Sequence, residues 1–135
     1  MSTLFTLDAL RLFIHVTAAS IWVGGQFALA GLVGTVRELD PEGPRLAARA
    51  FNRMAWPAYG VLVITGLWNI LAVPLDAIPH PEIEIKILVV ALSGIGAALH
   101  QNARGNKVLL AVGGAMSALF GAAAIWVGVV MAQFV

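Results

Sequence analysis

The sequence predicts an all-α fold, a four-transmembrane-helix bundle with its N- and C-termini outside. Three observations carry that expectation. Residues 12 to 36 hold no Asp, Glu, Lys or Arg, and about 20 residues of helix suffice to cross the hydrocarbon of a bilayer. The chain is 60% hydrophobic and 11% charged, against about 25% charged in ordinary soluble domains. Of its eight Lys and Arg residues, Arg37, Arg45, Arg49, Arg53, Arg104 and Lys107 fall in two connections between apolar runs. The positive-inside rule places those two connections in the cytoplasm, leaving Arg11 and Lys86 on the other side.

The first span is expected over about 9–36, with Ser2, Thr3 or Thr6 as its cap. Asp8, Arg11, His15, Ala18 or Ala19, Trp22 and Gln26 share one stripe at 3.6 residues per turn. The other faces are Leu, Ile, Val and Phe, which suits a helix turned with its polar stripe inward and its apolar face to lipid. The N-terminus lacks a basic leader region, and the apolar run is too long for a cleaved signal, so it reads as a retained span.

Arg37 to Pro44 reads as a loop, with Asp40-Pro41 and Gly43-Pro44 both plausible helix starts. Arg45, Arg49 and Arg53 recur at i, i+4, i+8, the pattern of a basic interfacial helix start over 45–53 that snorkels to headgroups. The second span follows over about 54–73, with Pro57 expected to kink it and Thr65 and Asn69 forming a short polar stripe. The proline-rich residues 74–82 read as a loop containing His80. The third span is expected over about 83–103, with Lys86 near its start and His100 near its end. The fourth, about 108–134, carries a seam of Gly113, Ser117, Gly121, Ala124 and Gly128 for close helix approach. The whole chain, 1–135, reads as a single integral-membrane domain whose outer partner is the lipid bilayer.

Composition excludes several functions. The few charges sit at span ends, so no basic groove for nucleic acid is present. The chain has no cysteine, which removes disulfides, thiolate metal sites and cysteine nucleophiles.

Within the spans, ionisable residues default to functional hypotheses. In the expected topology His15 lies about 10 Å below the outer end and roughly 15 Å in depth from His100, so the two are poor joint ligands. His15, Lys86, Asn69 and Trp22 share the outer half and are the candidate cofactor-binding residues, with Trp126 beside them. As metal donors the candidates are His15 and Met131. The plainer alternatives are that His15 bonds a neighbouring carbonyl or Asn69, that Lys86 snorkels, that His100 caps its helix, and that Met131 fills the core. Trp22 lies too deep for an interfacial belt, whereas Trp56 and Trp68 suit belts at opposite faces.

Three segments, HVTAASIWVGG in span 1, VITGLWN in span 2 and EIKILVVALSGIGAALHQNA in span 3, together resemble the membrane domain of the copper-resistance protein D (CopD) family. The matching positions are His15, Trp22, Gly24, Gly25, Thr65, Gly66 and Lys86. The resemblance implies a multi-pass protein of the bacterial inner membrane involved in copper binding, uptake or tolerance. The related HemJ-type protoporphyrinogen oxidases, also four-span proteins, imply b-type haem instead, with His15 and Lys86 as counterparts of their span-1 His and span-3 Lys. Ala19 stands where that second pattern has a Met, and Pro81 where it has a basic residue. A third class is a non-catalytic accessory subunit of a larger membrane complex. A homo-oligomer is compatible with all three.

Overall fold

The computed structural model describes residues 5–134, and every regular element in them is helical. Helix α1 (Leu7–Ala19) passes through a π-helical turn (Ser20–Gly24) into α2 (Gly25–Leu39), followed by α3 (Gly43–Leu71), α4 (His80–Gln101) and α5 (Lys107–Met131). Four helices are long and apolar enough to cross a membrane: Leu7–Leu39, Gly43–Leu71, His80–Gln101 and Lys107–Met131. The shortest has 22 residues, or about 33 Å at 1.5 Å per residue, against a hydrocarbon thickness of about 30 Å. Phe13, Ile64, Leu119 and Trp126 are each about two-thirds exposed. Such side chains would be a liability in water and are ordinary against lipid. The chain has the surface of a multi-pass membrane protein.

The helices form two compact units, one ending at Pro74 and one beginning at Leu75, each a helical hairpin. In the first, Thr6 caps α1, its Oγ1 accepting from the Ala9 amide at 3.1 Å. Ser2 and Thr3, the other expected caps, lie outside the described residues. The loop expected from Arg37 to Pro44 is shorter than its charges suggest. Only Asp40–Glu42 is non-helical, because Asp40 closes the turn itself. Its carboxylate accepts from the Glu42 amide at 2.9 Å and its carbonyl from Gly43 at 2.8 Å. Of the two candidate starts, Gly43-Pro44 is the one used, with Pro44 in the first turn where its missing N–H costs nothing. The basic segment 45–53 is therefore the opening of the same 29-residue helix that includes the second span. That helix continues through Pro57.

Helix α4 starts three residues earlier than expected, since His80, Pro81 and Glu82 belong to its first turn. His80 is exposed, as expected, but is helical. α4 and α5 cross at glycines. A Cβ on Gly96 would lie 2.8 Å from the Gly113 carbonyl, and one on Gly113 would lie 2.7 Å from the Gly96 carbonyl. Nearby, the buried Ser93 hydroxyl donates to the Ser117 carbonyl at 2.7 Å. The expected small-residue seam is thus buried at Gly113, Ser117 and Gly121. The turn between the helices uses Arg104 at φ +48° and Gly105 at φ +83°, and Asn106 then caps α5 through the Leu109 amide at 3.1 Å. His100 does not cap its own helix. Its Nδ1 lies 2.7 Å from the Leu110 carbonyl on α5, while Asn102 donates to the Ala98 carbonyl at 2.8 Å.

Candidate functional site

The site candidate is the open end of the first hairpin, where α1 begins and α3 ends. Contacts between His15 and Thr65, and between Trp22 and Tyr59, set an antiparallel register of α1 on α3. His15 Nδ1 lies 2.8 Å from Thr65 Oγ1. Gly66 makes room for the ring, because a Cβ there would sit 3.3 Å from His15 Cε1. The Thr65-Gly66 pair therefore has two jobs at one imidazole, one polar and one steric.

Thr65 determines the tautomer. Its Oγ1 lies 2.6 Å from the Val61 carbonyl and 3.2 Å from the Leu62 carbonyl. Both can only accept, and a hydroxyl has a single proton to give. Toward the imidazole Oγ1 must accept, so Nδ1 carries the hydrogen. In the neutral ring Nε2 then carries the lone pair. A histidine held this way through one nitrogen presents the other as a ligand or acceptor in a fixed orientation. Thr65 itself is buried and His15 partly so.

One turn toward the open end from His15 is Arg11, and one turn beyond Thr65 is Asn69, so the register puts them at the same level. Arg11 is 8% exposed. Its Nη1 pairs with Asp8 at 3.0 Å, yet its Nε is buried with no hydrogen-bond partner among the described residues. Asn69 Oδ1 is buried and unpartnered in the same sense. A neighbouring carbonyl or Asn69 was expected to bond His15; the hydroxyl of Thr65 is what holds Nδ1.

Trp22 belongs to a different cluster. Its ring is 5.2 Å from that of Trp56 and 4.5 Å from that of Tyr59, and those two are 5.7 Å apart. The rings pack on one another rather than around an opening, and Trp22 is 2% exposed. Trp56 is therefore part of this ring cluster. The π turn holds Trp22 there, with Ser20 Oγ donating to the Val16 carbonyl at 2.8 Å. A wider turn of this kind often marks a functional segment, and nothing in the residue pattern announces it. Phe51 occupies the space that a Cβ on Gly25 would take, whereas one on Gly24 would meet nothing within 4 Å, so of the two glycines in the Trp-x-Gly-Gly motif Gly25 is the one that makes room for a ring.

Lys86 and Met131 lie in the second hairpin. Lys86 reaches Gly128, where a Cβ would be 3.2 Å from its Nζ. Met131, the last residue of α5, follows Gly128 by one turn and is partly buried. Trp126 is 68% exposed. Among the described residues there is no group of three or more His, Cys, Asp or Glu that could hold a metal ion. The sequence puts Arg11 on the right stripe without singling it out, and marks Thr65 as part of a polar stripe and of the family resemblance but not as a partner of His15.

No protein-family model, curated protein or solved structure matches the chain.

Proposed function

We propose that this chain is a CopD-like multi-pass protein of a bacterial cytoplasmic membrane, termini outside, that holds one redox-active metal centre through His15. The observation that supports it best is the hydrogen-bond chain from Val61 through Thr65 to His15, which leaves the lone pair of the neutral ring on Nε2. The donor set favours b-type haem among the candidate centres. A haem iron can be held by one histidine of the protein. Its carboxylates would also suit a buried guanidinium one turn away, whose Nε has no partner among the described residues. When bound, the group would supply one-electron chemistry. His15 would hold the iron, and Thr65 would orient the ring.

A bare copper ion fits this hairpin less well. Copper(I) prefers soft thiolate or thioether donors, whereas the hydroxyl of Thr65 lies against His15, with the amide of Asn69 and the cation of Arg11 one turn further along their helices. Copper handling remains the second reading, with copper as cargo, because the resemblance in the first three spans names it and Met131 is a thioether at a helix end. The third reading, an accessory subunit, needs no ligand at all.

An absorption spectrum and metal analysis on the same purified sample separate the three. The expected result is a Soret band in the wild type that His15→Ala abolishes and His100→Ala leaves intact. Bound copper without a Soret band would replace haem with copper, and neither would leave the accessory reading. Dependence on His100 with His15 dispensable would overturn the site.

A further inference from the structure

Among the described residues Arg11 is the only charged residue that is buried, at 8% exposure. A guanidinium has five N–H donors. Asp8, whose side chain is 75% exposed, takes up one edge of it through Nη1. The buried Nε has no partner among the described residues, and a dry unmet donor on a cation is expensive to keep. At the same level of the hairpin Asn69 has a buried Oδ1 that is unmet among the described residues. Its amide can present either oxygen or nitrogen after a half-turn. Such a pair of unmet groups, one turn from an oriented imidazole, is arranged for something brought from outside.

We propose that Arg11 is the receptor for a carboxylate of the ligand held at His15, with Asn69 beside it and Asp8 as the internal competitor for the guanidinium. This rests on the haem reading above and names the part of the ligand that the hairpin recognises. A planar guanidinium accepts a carboxylate through two parallel hydrogen bonds, of which Nε–H supplies one. Asp8 sits at the exposed rim of the helix, where its attraction for Arg11 is screened by solvent. An incoming carboxylate that lies against the buried edge makes the stronger contact. Asp8 thus keeps the cation paired before the ligand arrives and gives ground afterwards.

The test is a Soret titration of the full chain in lipid nanodiscs with iron protoporphyrin IX and, separately, its dimethyl ester. Each is corrected for uptake by His15→Ala protein. The wild type should bind the acid about ten- to a hundredfold more tightly than the ester, the range of a charge-assisted hydrogen bond. Arg11→Gln should bind the two alike while keeping its His15-dependent band, and Asp8→Asn should bind the acid several-fold more tightly than the wild type. Equal binding of acid and ester by the wild type, a comparison that needs no variant, would overturn the proposal. So would an Arg11→Gln protein that keeps the full preference. A wild type with no His15-dependent band for either compound would instead remove the haem reading, and this inference with it.

Discussion

At the scale of single residues, the orientation of His15 depends on one hydroxyl. Thr65→Val has nearly the same shape but leaves Nδ1 without its acceptor, so the ring loses its fixed tautomer. The expected outcome is a bundle that folds, with ligand affinity at His15 down about ten- to a hundredfold, the usual effect of losing such a supporting partner. Nitrogen-15 NMR of the ligand-free protein checks the cause directly. His15 should show a protonated Nδ1 and an unprotonated Nε2 in the wild type, and a mixture in Thr65→Val. A protonated Nε2 in the wild type would refute the argument. The level at which His15 meets α3 was not readable from composition or periodicity. Asn69 is the more polar neighbour, but helix register, fixed by packing along the whole hairpin, brings Thr65 to the ring instead. Arg11 was hidden for a related reason: a charge at the start of a span looks like a surface anchor until its burial is known.

At the scale of helices, the two hairpins are held differently. The second depends on backbone approach. A methyl group on Gly113 would meet the His100 backbone nitrogen at 2.5 Å and the Gly96 carbonyl at 2.7 Å, neither of which can swing aside. Gly113→Ala should therefore destabilise by about 1–3 kcal/mol through overpacking. Gly31→Ala, with nothing within 4 Å, should be neutral or slightly stabilising, since alanine is the better helix former by about 1 kcal/mol. Thermal stability of the two variants in detergent checks the contrast, and equal effects would mean that the crossing is looser than it looks. The first hairpin is keyed by aromatic rings around a widened turn. The seam of α5 was visible in advance because small residues at i, i+4, i+8 form a pattern. The π turn was not, because one extra residue in a turn is a response to packing around Trp22 and leaves no periodicity of its own.

At the scale of the whole molecule, apolar length and charge placement decide the most. Four uncharged stretches were legible because spanning a bilayer is a one-dimensional requirement. Their ends shifted by a few residues wherever a cap or turn residue, such as Asp40 or Pro81, extended a helix past its apolar part. Orientation is testable because the chain has no cysteine. Single cysteines introduced at Ile78 and Lys107 should be labelled by an impermeant reagent from opposite sides of sealed vesicles, position 78 from outside and position 107 from the cytoplasm. The reverse labelling would invert the topology, and labelling of both from one side would mean that His80–Gln101 does not cross.

The glycine crossing of the second hairpin also has a magnetic consequence. On each glycine, the position a methyl would occupy is held by an α-hydrogen, and on both helices that hydrogen points at the carbonyl of the other. Gly96 and Gly113 therefore exchange reciprocal Cα–H···O contacts, each weak in water and less opposed where no solvent competes for the oxygen. One α-proton on each should resonate well downfield of those of Gly31 and Gly34, which face open space. The displacement should vanish from both glycines together when either is replaced.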